Sequence, residues 1–347
     1  HLYKMQIDNN NEIFEEDKEL FEHFKFVADK GQALLRVDKF LLDRLENTSR
    51  NKIQTAAKAG SIIANGAVIK SNYKVKPLDV IQMVLPEPPK ILKLIPEDIP
   101  IEVVYEDEDL VIVNKEAGLV VHPGYGNYRG TLVNALIHHF GQLPETSELD
   151  NRPGLVHRID KNTSGLLVIA KKEIAMTHLA KQFFDRTINR RYYALVWGDV
   201  KNDEGTIKSN LGRALKNRKV MDTFDFEGEI GKKAITHYKV VKRLGYVSLV
   251  ECKLETGRTH QIRIHMKSIG HPLFNDPEYG GDRILKGQST TNYKRFVENA
   301  FALIPGQALH ARSIGFIHPT TKKEISFEIN IPEGFEKIIE KFEKIPT

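Results

Sequence analysis

The sequence predicts an α+β protein of two domains, and three observations support this prediction. The chain has 347 residues, enough to build two hydrophobic cores. A proline-rich segment at residues 86–90 has the composition of a stiff linker. Apolar runs typical of strands and apolar spacing typical of helices occur on both sides of it. We therefore expect an acidic N-terminal arm (1–34), a small module (35–86), a linker (87–100) and a larger domain (101–347).

The composition is that of a globular protein, with 41% hydrophobic and 28% charged residues. No stretch approaches the roughly 20 apolar residues that a membrane-spanning helix needs, and the polar N terminus does not resemble a signal peptide. The single cysteine, Cys252, excludes an internal disulfide and a zinc site built on a cysteine pair. We expect a cytoplasmic, monomeric protein that makes no membrane contact.

Charge is divided unevenly between the first two segments. Residues 1–30 carry four lysines and eight acids, whereas residues 36–86 carry nine Lys or Arg and four acids. A compact basic segment predicts a binding site for a polyanion. The alternative is a solvated basic surface on a purely structural module.

The small module is predicted to contain two helices and a hairpin. Apolar residues at helical spacing predict the first helix: Val37, Phe40, Leu41 and Leu45. Thr48 or Ser49 can cap a second helix that ends at Gly60. A turn at Asn65 and Gly66 predicts a hairpin, and residues 80–85 form a further strand.

The larger domain alternates predicted strands and helices. Strands are expected over 103–105, 110–115, 166–170 and 190–198, and helices over 132–139, 173–184 and 335–342. Thr131 can cap the first of these helices, and Thr259 can cap another that runs to Lys267.

Asp160 lies where a loop opened by Pro153 and Gly154 joins the apolar run 166–170. Its neighbours are cations and hydroxyls: Arg158, Lys161, Thr163 and Ser164. A carboxylate beside cations stays ionised, and on a loop anchored by a rigid strand it can act as a nucleophile or a base. Taken alone, an Asp that closes a turn through its own backbone is the commoner case.

The histidines do not predict a metal site. His122, His138 and His139 have no Asp or Cys at ligand spacing. His260 and His265 are five residues apart, whereas two zinc ligands on one helix face need a spacing of four. Because a glycine-rich phosphate loop is also missing from the sequence, we expect neither a metal nor a cofactor.

The sequence His-Arg-Ile-Asp-Lys-Asn-Thr-Ser-Gly-Leu-Leu at 157–167 resembles the catalytic motif of the RluA/RluD family of RNA pseudouridine synthases. The resemblance covers about residues 35–330. It implies a catalytic domain with a mixed, largely antiparallel sheet, the pseudouridine synthase fold. It also implies that Asp160 is the catalytic residue, that Tyr192 packs against the target base and assists proton removal, and that Arg263 pairs with Asp160. The preference for Tyr192 over Tyr193 rests on the resemblance alone.

The basic module resembles the S4 RNA-binding domain through residues 36–41, 49–50 and 64–75. Such a module holds RNA through phosphates and helix shape. The contacts expected from it are Arg36, Lys39, Arg50, Lys52, Lys70 and Lys74. In the larger domain, Arg158 can fill the space that a flipped uridine leaves, or it can merely hold the loop.

The two resemblances together imply isomerisation of specific uridines in structured RNA, with base flipping and no cofactor. The S4-like module favours large-subunit (23S) rRNA as the substrate. A tRNA pseudouridine synthase of the same family is one alternative, and a non-catalytic S4-type RNA-binding or ribosome-assembly factor is another. A hydrolytic nucleosidase that uses the same Asp is a third, and it would release free uracil. Whether Asp160 attacks the ribose or the uracil ring stays open.

Overall fold

The computed structural model describes residues 21–45, 48–85, 94–123, 129–145, 152–214 and 220–345. The chain divides into two compact units. The first comprises His1–Ile91 with Arg213–Val220 and Gly228–Ile230, and the second comprises the remainder. Within the described ranges, no helix is both long and apolar enough to cross a membrane.

The described part of the first unit contains short strands and two helices. These are β1 (Phe21–Val27), β2 (Leu35–Arg36), α1 (Val37–Leu42), α2 (Arg50–Lys58), β3 (Ile62–Ala64), β4 (Ala67–Val68), β5 (Lys74–Val75) and β6 (Val80–Leu85). The sheet order is β1-β6-β3-β4, and β2 pairs with β5. Ser49 caps α2 by accepting a hydrogen bond from the N–H of Lys52, as predicted. Asn65 and Gly66 both have positive φ, as the predicted hairpin turn requires.

Two of the expected segment boundaries need correction. Residues of β1 pair with β6 from Phe21↔Leu85 to Val27↔Val80, so the arm expected over 1–34 joins the module's sheet from residue 21 onward. Residues 1–20 lie outside the described residues. In the linker expected over 87–100, the carbonyl of Ile95 accepts a hydrogen bond from the side chain of Asn134, and the N–H of Glu97 bonds the Asn134 carbonyl. This part of the linker is therefore fixed to the second unit.

The second unit is built around one large sheet. Its elements are β7 (Glu102–Glu106), β8 (Leu110–Lys115), α3 (Leu132–Phe140), β9 (Ser164–Ala170), α4 (Glu173–Phe184), β10 (Asn189–Trp197), β11 (Glu204–Arg213), β12 (Met221–Phe224), β13 (Lys232–Arg243), β14 (Val247–Leu254), α5 (Gln261–Ser268), α6 (Thr291–Phe301), β15 (Leu309–Ile317), β16 (Glu324–Glu328) and α7 (Glu333–Glu343). The strand order is β12-β11-β13-β14-β10-β15-β9-β8-β7, with β16 on β15. Among the pairs with a described register, only β9 with β15 is parallel. The mixed, largely antiparallel sheet confirms the predicted α+β class.

Strand β9 is buried along its whole length, as its apolar run predicts. Its parallel contact with β15 starts at His310↔Ser164 and Ala311↔Gly165. Gly165 has φ +117°, and a Cβ there would lie 2.3 Å from the carbonyl oxygen of Ala311. Glycine is thus required at the point where the loop that carries Asp160 enters the sheet.

One hydrophobic core joins β9, β10 and α5. It contains Leu167 and Ile169 of β9, Tyr192 of β10, and Ile262 and Met266 of α5. Burying each aliphatic side chain of this kind contributes about 1.5–3 kcal/mol. The three elements are therefore held rigidly against one another, and their ends can present side chains in a fixed geometry.

Helix caps are predicted with mixed success. Thr131 caps α3 by accepting a hydrogen bond from the N–H of Asn134, as predicted. The cap predicted at Thr259 is wrong, because the N-cap of α5 is His260 in the left-handed region at φ 56°. A non-glycine residue there stores backbone strain of about 1–3 kcal/mol.

Candidate active site

Asp160 lies on the loop before β9, and its side chain is 21% exposed. A turn bond from the N–H of Thr163 to the Asp160 carbonyl shapes the loop. The loop is further attached to β9 by His157, whose Nε2 accepts the N–H of Val168 at 3.0 Å. Burial lowers the pKa of His157 to about 3, so this ring stays neutral and keeps the lone pair that the bond needs.

Arg263 brings three carboxylates together. Its Nη1 lies 3.1 Å from Asp160 Oδ2, its Nε and Nη2 bind both oxygens of Asp276 at 2.7 and 2.8 Å, and Nη2 also reaches Glu278 Oε2 at 2.6 Å. The Arg263 side chain is only 3% exposed. Hydrogen bonding and attraction to these carboxylates raise the pKa of Arg263 although burial opposes the rise. The guanidinium is a fixed positive charge beside Asp160.

Asp276 and Glu278 were not predicted as site residues. Asp276 is fully buried, and its carboxylate is compensated by the bidentate contact with Arg263 and by the N–H groups of Glu278 and Tyr279. The sequence signal was the run Asp276–Pro277–Glu278, whose acids follow Arg263 within one helix and one turn. A buried arginine needs more than one acceptor, and this run supplies them.

His260 is a second nitrogen-containing side chain near Asp160, after Arg263. Its Nδ1 lies 2.7 Å from the hydroxyl of Tyr279, and its Nε2 lies 3.9 Å from Asp160 Oδ1. Burial lowers the pKa of His260, so the ring is mostly neutral at pH 7. Of these two side chains, Arg263 is therefore the one that carries the positive charge next to Asp160.

One cavity of about 310 Å³ is lined by all the residues of the larger domain that were predicted to form the site: Asp160, Tyr192, Arg263 and Arg158. Tyr192 is 6% exposed and belongs to the core below the cavity, whereas Tyr193 packs against a different core. The opposite faces predicted for the two tyrosines are confirmed. Burial raises the pKa of Tyr192, so its phenol keeps its proton.

Lys115 is another residue that the sequence did not single out. It is 2% exposed, and its Nζ donates to the carbonyls of Glu116, Leu119 and Lys161 at 2.8–2.9 Å. The last of these residues follows Asp160 directly, so Lys115 is attached to the loop that carries Asp160. Burial lowers the pKa of Lys115 to about 7.

The predicted contacts of the small module belong to the first unit. Arg36 and Arg50 both bind the buried carboxylate of Asp38, which Gln54 also contacts. The Arg36 guanidinium, first among these contacts, holds the pKa of Asp38 well below its usual range. The predicted lysines are exposed and form no ion pair with any described residue: Lys39, Lys52, Lys70 and Lys74. Arg36 and Arg50 thus have a structural role in addition to the expected one.

Among the described residues, one group has the composition of a metal site: Asp107, Asp109 and His318. His318 Nε2 bonds Asp107 at 2.8 Å, and its Nδ1 accepts the N–H groups of Thr320 and Thr321. Asp109 is paired with Lys172 at 3.1 Å. These ligand atoms are already used in holding the β7–β8 turn, so the group carries no argument for a metal.

Comparisons with known proteins show the family of this chain. Residues 109–268 match the family described as RNA pseudouridylate synthase. An "Uncharacterized RNA pseudouridine synthase" of Chlorobaculum parvum is 47% identical, over 92% of this chain and 97% of the relative. The "Ribosomal large subunit pseudouridine synthase D" of Zymomonas mobilis is 42% identical, over 87% of this chain and 92% of the relative.

A solved structure, human RNA pseudouridylate synthase domain containing 4, shares the fold with a TM-score of 0.54. It is 21% identical and covers 71% of this chain and 95% of its own. The relatives found by sequence assign the family, because their identity of 47% and 42% extends over most of both chains. The protein belongs to the RNA pseudouridine synthase family and is an isomerase of uridine in RNA.

Proposed function

We propose that Asp160 is the nucleophile of this pseudouridine synthase and that its substrate is a uridine in large-subunit (23S) rRNA. The observation that supports the nucleophile best is the 3.1 Å contact between Arg263 Nη1 and Asp160 Oδ2 at the cavity that Tyr192 also lines. A buried guanidinium places a fixed positive charge beside the partly buried carboxylate and orients it. Asp160 is still 21% exposed, which leaves it accessible to a base in the cavity.

In the proposed reaction, the target uridine leaves its stack and enters the cavity. The Asp160 carboxylate attacks either C1′ of the ribose or C6 of the ring, and the bond from C1′ to N1 breaks. The base turns and C5 bonds to C1′. The bond between Asp160 and carbon breaks and returns the carboxylate, the C5 proton leaves and N1 takes up a proton. Atoms and electrons balance without a cofactor.

Tyr192 is proposed to pack against the turning base. A phenol whose pKa is raised by burial is a weak base at neutral pH, so the ring is better suited to packing than to removing the C5 proton. The apolar side chains beside it, Leu254, Ile262 and Leu309, would exclude water from the separated base.

The rRNA target is proposed from two supports. The relative from Zymomonas mobilis and one from Neisseria meningitidis, 40% identical, are both named ribosomal large subunit pseudouridine synthase D. The first unit also carries exposed cations that suit phosphate contacts, as in the S4-like module that we expect. We further propose that the protein acts as a monomer in the cytoplasm.

The test is a map of pseudouridines in cellular RNA before and after deletion of the gene. Loss of a 23S rRNA pseudouridine, restored by the wild-type gene and not by Asp160→Asn, supports the proposal. Loss confined to tRNA would support the tRNA alternative. An unchanged map would favour a binding factor, and release of free uracil from RNA would favour a nucleosidase.

A further inference from the structure

The C-terminal end of α4 has a partly buried aromatic ring that lines the cavity and, next to it in the chain, an exposed one. Phe183 lines the cavity and stacks on His157 at a centroid distance of 4.6 Å. The next residue, Phe184, is 86% exposed, more than any other large apolar side chain that the structure describes. A single exposed hydrophobic residue is common on protein surfaces, so its surroundings decide whether it has a role.

The surrounding side chains are mainly cationic, and the one acid next to Phe184, Asp185, is paired with Lys181 at 2.5 Å. Arg186 follows α4 and is exposed, and Arg258 lines the cavity. Burial, and after it the positive charge of Arg186, lowers the pKa of Arg258. Arg258 lies on the wall of the cavity that Phe183 also lines, and Arg186 is three residues beyond Phe183 in the chain. Arg158, also exposed, lines the same cavity.

These cations lack the carboxylate partners that other arginines in this unit have. Arg263, Arg243 and Arg312 each form ion pairs. Within the described ranges, Arg158, Arg186 and Arg258 form none. Arg258 donates its Nε to the carbonyl of Lys233 at 3.2 Å. Cations without carboxylate partners favour the binding of a polyanion.

We propose that Phe184, Arg186 and Arg258 form a strand-binding edge of the cavity. On this edge a base next to the target uridine stacks on Phe184 while the RNA backbone lies on the two arginines. This inference rests on the proposed function. A flipped uridine leaves its neighbour without a stacking partner, and an exposed aromatic ring supplies one whatever the base. A protein partner would also cover Phe184, but the arginines without carboxylate partners and the position of Phe184 directly after Phe183, which lines the cavity, favour a nucleic acid strand.

Binding of a fluorescein-labelled oligouridylate of about ten nucleotides to the full-length protein tests the stacking role. Phe184→Ala should weaken binding about tenfold, because the substitution removes the stacking of one base on an aromatic ring. Phe184→Tyr should bind as the wild type does. Phe184→Leu should bind as Phe184→Ala does, because it keeps apolar area without a π-face. Ile174→Ala is the matched control, since Ile174 is 75% exposed on the same helix, and it should leave binding unchanged.

The arginine contact has its own readout. Arg186→Gln should reduce the slope of log Kd against log salt by about 0.7, the value for one phosphate contact on a single strand. Lys294→Gln, an exposed cation of α6, should not change it. The inference is overturned if Phe184→Ala binds the oligouridylate as tightly as the wild type or if Phe184→Leu retains full affinity.

The binding assay does not depend on turnover, so the two proposals fail differently. If the wild type isomerises no uridine in rRNA or tRNA, the proposed function fails. If it isomerises its target and Phe184→Ala does so with an unchanged KM, only the strand-binding edge fails. An unchanged midpoint of thermal unfolding confirms that each variant is folded, as expected for an exposed position.

Discussion

Arg263 Nη1 donates to Asp160 Oδ2 at 3.1 Å while Nε and Nη2 of the same guanidinium hold both oxygens of Asp276. The orientation of the proposed nucleophile therefore depends on a buried acid that never faces the substrate. Asp276 fixes the plane of the guanidinium, and the guanidinium fixes the carboxylate of Asp160.

Arg263→Lys should retain almost no activity. The arginine uses three nitrogens on three acids, whereas a lysine has one nitrogen and cannot bind Asp276 bidentately. Breaking a buried pair typically costs about 3–5 kcal/mol. If most of this free energy stabilises the transition state in the wild type, its loss lowers kcat/KM by at least about a hundredfold. Single-turnover rates on target RNA give the value, and activity within about threefold of the wild type would rule out the proposed role.

Asp276→Asn should lower both kcat and stability, with KM for RNA nearly unchanged. The substitution leaves Arg263 without its bidentate partner, and the expected loss in the free energy of unfolding is about 3 kcal/mol. Glu278→Gln is the matched control, since Glu278 also binds Arg263 but its side chain is 40% exposed. Its loss should be smaller because solvent screens an exposed pair. Urea unfolding and steady-state kinetics check both variants, and equal effects would contradict the separate role of Asp276.

Lys115 should make stability depend on pH. Burial lowers its pKa in the folded protein to about 7, below the usual value of about 10.4 in an unfolded chain. Between these values the unfolded state binds more protons, so the free energy of unfolding should rise with pH, by at most about 1.4 kcal/mol per pH unit. Urea unfolding of the wild type and of Lys115→Met at pH 7, 8 and 9 isolates this contribution. Parallel curves for the two proteins would mean that Lys115 stays charged in the folded state.

The lysines of the first unit should carry much of the salt dependence of RNA binding. Replacing Lys52, Lys70 and Lys74 together by Gln should reduce the slope of log Kd against log salt by about 2–3, because each phosphate contact releases counterions. Lys294→Gln with Lys337→Gln removes exposed cations of the second unit and serves as the control. Identical slopes for the triple variant and the wild type would mean that these lysines do not contact RNA and that the module is purely structural.

The strand that anchors the site could be predicted because its signals are local. The apolar run of β9 has the length and composition of a buried strand, and alternation along β10 separates Tyr192 from Tyr193. Asp160 was identified by a long ungapped motif. Without that motif, its surroundings in sequence fit a turn-closing residue better.

The supporting contacts could not be predicted because they join distant parts of the chain. Lys115 reaches the carbonyl of Lys161, 46 residues away, and no spacing rule connects the two. Strand β1 was missed because residues 21–27 mix phenylalanines with charges, and its pairing with β6 spans more than 50 residues of chain. The cap of α5 was predicted one residue too early, because the N-cap is His260 in the left-handed region and not Thr259.

The central claim is that Asp160 performs the chemistry, and Asp160→Asn tests it most directly. The amide keeps the size of the side chain and removes its charge, so the variant should isomerise no uridine in target RNA. Its Kd for the same RNA should stay within about threefold of the wild type, because the phosphate contacts that dominate affinity are intact. Mass spectrometry must show that the amide has not reverted to Asp. A purified, amide-intact Asp160→Asn protein that forms pseudouridine at the wild-type rate would contradict the account.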